Sequence, residues 1–465
     1  MRASVLSSTL TAGWFYRDRT LYPVAALSAA LVGATLAIEP AFAVLPVAVL
    51  ICGVLLIDAR ARVLFVLFGG LTIFQQGDDL SPLKVAFLLG FGVACAGAAT
   101  NVLRIRDTAT LEAARPLIAA SIAMGGLLVI SAGVAYAHAT PVGSLWLRDV
   151  APYFLFIAVP LFGLDAREAF SYRALVRILV AAGILGALAF AVTWLQRRGI
   201  ADFGTERIGL ATHYVPAGLF AYAMSLALCA RKLRWLAVAG LVLALLLATG
   251  TRSNLALLMA PLAIAVGSRH AIARRSVRVL VFLPLTAVAT TLIAFAVLQA
   301  SSANLDHVER RIEAFRTSGT GEDNSFVERQ RQTEVALDAF TDHPVFGAGP
   351  GTLFEWQTVD FRQVTSYLLD TPATFPAKFG ILGLVTLLFV LSRYLAFIRI
   401  IGRHSGNGEM YFTLVGYAAI VAASTLFYSP LEDKGFAFTL ILLVGLALHP
   451  RQRLSDPARP ANPER

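Results

Sequence analysis

Residues 116–134 read PLIAASIAMGGLLVISAGV, an apolar run without one charged side chain, approached through Arg104, Arg106 and Arg115. An α-helix needs about 20 predominantly apolar residues to cross the ~30 Å hydrocarbon layer of a bilayer, and apart from closed barrels no other structure satisfies its backbone there. The run therefore reads as one transmembrane helix. Runs of the same kind recur on both sides of it, broken by short charged segments: 21–38, 41–57, 62–76 and 83–100 before it, and 150–164, 174–195, 209–230, 234–250, 253–267, 278–298, 376–400, 410–428 and 436–448 after it. The expectation is an all-α, polytopic transmembrane helix bundle of about fourteen spans. The count falls to about twelve if the short runs 62–76, 150–164 and 436–448 are tilted, re-entrant or interfacial.

Composition agrees with this. Of 465 residues, 57% are hydrophobic and 15% charged, and the mean hydropathy of +0.70 excludes a soluble globular chain. A net charge of +10 and a pI near 9.8 would suit a nucleic-acid binder, but the basic residues are scattered through short loops and form no stripe, so no nucleic-acid partner is expected. Cys52, Cys95 and Cys229 all lie inside apolar runs, are odd in number and lack metal-ligand spacing, so they read as small core hydrophobes. Arg2, Arg17 and Arg19 precede the first apolar run without a signal-peptide pattern, so the first helix is expected to act as its own insertion signal.

Lysine and arginine accumulate in cytoplasmic loops. Placing the N-terminus inside puts the larger share of the 39 basic residues in the cytoplasm, including Arg231, Lys232 and Arg234 and the cluster Arg269, Arg274, Arg275 and Arg278. Both termini are then cytoplasmic. The chain divides into transmembrane helices over 1–299, a large external loop over 300–375, C-terminal transmembrane helices over 376–448 and a Pro-rich cytoplasmic tail over 449–465. Loops as long as 300–375 usually carry function. Within it, Ser325 and Glu328 have capping-box spacing, which predicts a helix from Ser325 to about Phe340. A break at Asp342-His343-Pro344 and the tight turn Gly347-Ala348-Gly349-Pro350-Gly351 follow.

The outward segments hold arginines at membrane edges: Arg207 before Gly209, Arg252 in Thr249-Gly250-Thr251-Arg252-Ser253-Asn254, and Arg329 and Arg331 on the loop helix. A guanidinium is a fixed, always-charged fork that matches phosphate oxygens, and the pairing strengthens beside a low-dielectric boundary. The bland alternative is that these side chains snorkel or pair with external acids; a very short external turn makes that weakest for Arg252. His138, His213, His307 and His343 fall on the same side without the spacing of a zinc site, so no metal is expected. Acids inside the spans read as almost absent, which argues against a proton-coupled transporter. The glycine turn lacks a Lys-Ser/Thr sequel and reads as structural.

Thr249–Ser253 opening an apolar run, Arg331 followed by Val335-Ala336-Leu337, and Asp342–Gly349 together resemble the O-antigen ligase and O-antigen polymerase family of bacterial membrane glycosyltransferases. Leu369-Asp370-Thr371 through Lys378-Phe379-Gly380-Ile381-Leu382-Gly383-Leu384 is similar to the segment where that family's chain re-enters the membrane. The resemblance covers roughly residues 200–400. It implies a metal-independent, inverting transfer of a glycan from a polyprenyl-pyrophosphate carrier to an acceptor sugar hydroxyl at the outer side of the bacterial inner membrane, without a cofactor. Partners so implied are the lipid-linked glycan, the acceptor glycan, membrane lipid and a chain-length regulator. By position Arg252 and Arg331 take the places of the pyrophosphate-binding arginines, with Arg207 a weaker third. Lipopolysaccharide ligases carry His-Asn where this chain has Leu369-Asp370-Thr371, a departure that favours the polymerase-like branch with Asp370 as base, and His343 and His213 next in line. Two alternatives stay open: a ligase passing the glycan to a lipid or protein, and a flippase for the lipid-linked oligosaccharide. Two local ambiguities also stand. A helical wheel places Arg329, not Arg331, on the face of Phe326, Ala336, Leu337 and Phe340, and Asp370 also suits a cap for the segment opening at Thr371-Pro372.

The topology is testable directly. In a chain without its native cysteines, Thr317→Cys is expected to react with an impermeant thiol reagent in intact spheroplasts, and labelling only after lysis would contradict an external 300–375 loop.

Overall fold

The computed structural model describes residues 44–70, 82–137, 144–197, 214–230, 232–247, 256–267, 324–357, 362–366, 371–403, 408–425 and 429–449. The expected spans 21–38 and 278–298, residues 300–323 of the large loop and the tail from 450 onward lie outside them. Helices α1 (Val44–Ile57), α2 (Ala59–Leu64, continued by a π turn Phe65–Gly69), α3 (Pro82–Val102), α4 (Thr108–Ala137), α5 (Ser144–Ile157), α6 (Val159–Ala169) and α7 (Tyr172–Arg197) come first. Then follow α8 (Tyr214–Leu228), α9 (Arg234–Leu247), α10 (Met259–Gly267) and α11 (Asn324–Asp342), the strands β1 (Phe354–Gln357) and β2 (Arg362–Thr365), and α12 (Thr374–Arg403), α13 (Gly408–Ser424) and α14 (Lys434–Leu448).

The chain is an all-α membrane bundle. α3, α4 and α12 are each long and apolar enough to cross a bilayer, and α5 and α6 pass the same test as a pair bent by 47°. Pro160 explains the bend, because it lacks the N–H that would continue the helical ladder past Ala158. Large apolar side chains lie exposed on the outside of the long helices, Ile122 and Val129 on α4 and Val385, Leu388 and Leu395 on α12. In water such faces would be an aggregation liability, whereas lipid tails are as apolar as leucine. At the centre, α8 is buried on every side from Tyr214 to Ala227, and α14 packs beside it. A helix apolar all round belongs in such a core.

Of the expected span 62–76, residues 62–70 are described. The run 62–76 begins with a buried ion pair: Arg62 Nε lies 2.6 Å from Asp165 Oδ2 and Nη2 3.2 Å from Oδ1, while Nη1 donates to the Leu55 and Leu56 carbonyls. The Asp58 carboxylate accepts from Arg60 N at 2.7 Å and starts α2 afresh.

The contacts define two ends. At one, Arg60 Nε donates to Ala169 O, Arg167 Nε to Leu448 O and Ser225 Oγ to Glu409 O, and Arg167 Nη2 lies 2.7 Å from Asp107. The Thr110 hydroxyl, with Arg167 adding, holds the exposed Asp107 carboxyl below the usual range. At the other end lie the end of α4, the starts of α5, α12 and α14, and α11 with the β-hairpin.

The loop helix expected over Ser325–Phe340 spans Asn324–Asp342, and the antiparallel hairpin after it was not anticipated. α12 is broken at Gly380, whose φ of 62° and ψ of −158° suit only glycine. The break leaves two carbonyls and two N–H groups without helical partners, and the glycine turn takes all four. Ala348 N and Gly349 N donate to the Ala377 and Lys378 carbonyls at 2.8 and 3.1 Å, while Ile381 N and Leu382 N donate to the Pro344 and Val345 carbonyls at 2.8 and 3.1 Å. The chains approach so closely that a Cβ on Gly347, itself at φ 73°, would lie 2.4 Å from Lys378 C and Phe379 N. Gly380→Ala and Gly347→Ala are each expected to cost about 1–3 kcal/mol from backbone strain alone, more with the overlap. Gly126→Ala, where a Cβ meets nothing within 4 Å, serves as control. Equal melting temperatures for all three purified variants would contradict this account of the turn.

Candidate functional site

The first turn of α12 carries Lys378, which points into the bundle and is wholly buried. Its ammonium lies 3.1 Å from Asp149 Oδ2 on α5 and 3.0 Å from Glu432 Oε1, in the 3-10 turn Pro430–Glu432 just before α14. Both carboxylates are fully buried as well. The Tyr153 hydroxyl donates to Glu432 Oε1 at 3.1 Å. Asp149 accepts twice more, from Gly351 N at Oδ2 (2.9 Å) and from the Ser366 hydroxyl at Oδ1 (3.0 Å). Buried charges are tolerated when they are paired and hydrogen-bonded, and here Lys378 pairs with both carboxylates while Asp149 accepts at both of its oxygens. Glu432 also sits where a helix N-terminus favours negative charge.

Above the cluster, α11 and the hairpin form a second layer. Gln332 and Ala336 of α11, flanked by Val335 and Ala339, face Phe354 and Trp356 of β1 and Ala373 and Ala377 at the start of α12. Leu337, expected on the apolar face, points outward instead, being 47% exposed, because the partner surface lies on the 332–336–339 side. The Thr333 hydroxyl donates to Arg329 O at 2.7 Å and is 2.8 Å from Thr371 Oγ1. Thr371 in turn holds the approach to α12, its hydroxyl accepting from Ala373 N and its carbonyl from the Thr374 hydroxyl.

The candidate residues distribute as follows. Arg329 and Arg331 are both partly buried on α11 and point apart, as residues two positions along a helix must. Arg331 Nη1 donates to Gln357 O at the far end of β1. His343 is exposed beyond the other end of α11 and lines a groove with Val134, Ala137 and Phe346. Twelve residues of helical rise, about 18 Å, separate it from Arg331, so the two are not brought together. Arg207, His213, Arg252 and Asp370 lie outside the described residues. Of these, Asp370 adjoins Thr371, so its chain neighbour is bonded to the turn of α11 that carries the arginines.

Residue-type reasoning missed the buried cluster. Lys378 has no role in the sequence pattern and acids inside the spans read as almost absent, whereas Asp149, Asp165 and Glu432 are all buried in the bundle. The usable signal was an ionisable residue beside an apolar run, which is costly unless it has a partner. Arg148, next to Asp149, was missed too; its Nη2 is 3.3 Å from Thr365 Oγ1 of β2. Among the described residues no three His, Cys, Asp or Glu side chains converge as a metal site requires.

Residues 236–388 match the family model described as O-Antigen ligase. The match covers about a third of the chain, and over it the chain is similar to the O-antigen ligase/polymerase family. The match runs from α9 into α12 and contains Arg252, Arg329, Arg331, His343, Asp370 and Lys378; Arg207 and His213 precede it, as does Asp149, and Glu432 follows it. No curated protein matches the chain. This segment is similar to that of O-antigen ligase/polymerase-type membrane enzymes, and the long apolar helices fit a membrane protein.

Removing the central cation would strand two buried carboxylates. Lys378→Met is expected to destabilise the purified protein by roughly 3–5 kcal/mol, and adding Glu432→Gln should recover part of the loss in the same unfolding assay. Wild-type stability in Lys378→Met would contradict the pairing.

Proposed function

We propose that this enzyme transfers a glycan from a polyprenyl-pyrophosphate carrier to a sugar hydroxyl at the outer face of the inner membrane, joining repeat units of a surface polysaccharide. One observation carries the reading. The O-Antigen ligase match encloses Arg252, Arg329, Arg331 and Asp370, and α11 is fastened through Thr333–Thr371 to the residue that follows Asp370.

In the proposed reaction the acceptor oxygen attacks the anomeric carbon from the face opposite the carrier, and the anomeric C–O bond to pyrophosphate breaks with inversion. Asp370 takes the acceptor's proton. The leaving polyprenyl pyrophosphate gathers negative charge, which Arg331 and Arg252, with Arg207 and Arg329 nearby in role, would stabilise. Pyrophosphate leaves well once that charge is met, so cations matter more than a general acid, and neither metal nor cofactor is invoked. The proposed orientation places α11 and the hairpin in the periplasm and both termini in the cytoplasm. It accords with Arg60, Arg62, Arg167 and Lys232 all lying toward the opposite end of the bundle.

A ligase that hands finished glycan to a lipid or protein is the second reading, favoured by the wording of the family description. Deleting the gene and running the surface polysaccharide on a gel separates the two: one repeat unit on the acceptor signifies lost polymerisation, and no attached glycan signifies a lost ligase. In a reaction with purified lipid-linked donor, Arg331→Ala is expected to lose about 10- to 100-fold, the equivalent of one charge-assisted contact, and more than Arg329→Ala. Asp370→Asn, which keeps a good cap but not a base, should lose most turnover at normal abundance. Retained turnover in Asp370→Asn, or the reverse arginine ranking, would refute these assignments.

A further inference from the structure

We propose that Asp149 is a positioning residue for the transfer reaction: its carboxylate clamps both feet of the β-hairpin and thereby sets where Arg331 stands. This deepens the transferase reading and rests on it for the role of Arg331.

The geometry is specific. Gly351, whose N–H bonds Asp149 Oδ2, lies three residues before β1; Ser366, whose hydroxyl bonds Oδ1, is the residue after β2. A single carboxylate therefore fastens the two ends of the hairpin's open side. The strands pair from Phe354↔Thr365 at the feet to Gln357↔Arg362 at the tip, and Arg331 grips the tip through Gln357 O. Three residues of strand rise, about 10 Å, separate feet from tip. A small rotation at the feet is thus a larger displacement at the tip.

The clamp also accounts for the charges beneath it. Replacing a buried ion pair by apolar side chains is often neutral or stabilising, so stability alone gives no reason for a lysine and two acids here. An apolar side chain, however, cannot accept from Gly351 N and Ser366 Oγ together. A carboxylate can, through two oxygens at fixed spacing, and once it is buried it requires a cation. Lys378 supplies that cation from the same turn of α12 that receives the glycine turn, which references the hairpin to the residues following Asp370. Glu432 and Tyr153 then hold Lys378 from the side of α14. Asp149 touches no substrate in this scheme and acts through Arg331.

The test uses the full chain in lipid nanodiscs, with Cys52, Cys95 and Cys229 replaced by alanine and spin labels at Tyr136→Cys on α4 and Val364→Cys on β2, both exposed positions. Asp149→Ala is expected to shift and broaden the label-to-label distance and to lower kcat with lipid-linked donor by about 100-fold, the scale of a small misplacement. Asp149→Asn can still accept from Gly351 N and donate to Ser366 Oγ, so it should restore the narrow distance and recover at least part of the lost turnover. If Asp149→Ala does not melt cooperatively, Ser366→Ala, which frees one foot only, takes its place with a smaller shift of the same kind. An unaltered distance in both Asp149→Ala and Ser366→Ala overturns the clamp, as does an Asn variant as displaced as the Ala variant. If the unaltered chain transfers nothing, the transferase reading falls, and the distances alone decide the clamp.

Discussion

A buried lysine cannot be held in a membrane bundle without partners, and the way Lys378 finds them organises everything around it. Its ammonium reaches Asp149 on α5 and Glu432 before α14, so three elements distant in sequence must converge on one point. Two residues farther on, Gly380 breaks the helix, and the four backbone groups set free there are taken by the turn that ends at Gly349. Cluster and break are thus two sides of the same short segment, 377–382. One fastens it inward to the bundle, and the other fastens it outward to the loop.

The layer above inherits its position from that segment. The glycine turn delivers Gly351 to Asp149, the hairpin rises from it, and α11 lies against both hairpin and α12 through small and aromatic side chains, Ala336, Ala377, Phe354 and Trp356 among them. Arg331 at the hairpin tip and Thr333 beside Thr371 are consequences of that packing. His343, at the other end of α11, stands apart from the arrangement.

The helices that cross the bilayer were legible in the sequence because their physics is local. The uncharged run at 116–134 lies within α4, the run 376–400 within α12, and Ser325 with Glu328 marked a helix that begins one residue earlier. Partnerships were not legible. Nothing at Lys378 points to Asp149 or Glu432, since the pairing depends on how helices pack and not on any spacing along the chain. The hairpin escaped for a related reason: strands of four residues are too short to show a period, and the burial alternation of Phe354 to Gln357 exists only because α11 covers one face. The pairing of Arg62 with Asp165 was equally invisible, since the two lie on different helices. The bond from Arg331 to Gln357 O likewise depends on the hairpin, which a helical wheel lacks.

The most direct test of the central claim, that this assembly is a site for a lipid-borne pyrophosphate, is equilibrium binding to the purified full-length protein of a short polyprenyl pyrophosphate against the matching polyprenol. The account predicts saturable binding of the pyrophosphate, weakened by added salt and by Arg331→Ala, with the alcohol binding far more weakly and indifferent to both. Equal binding of the two lipids, unaffected by Arg331→Ala, would show that the arginines meet no phosphate and would contradict the account.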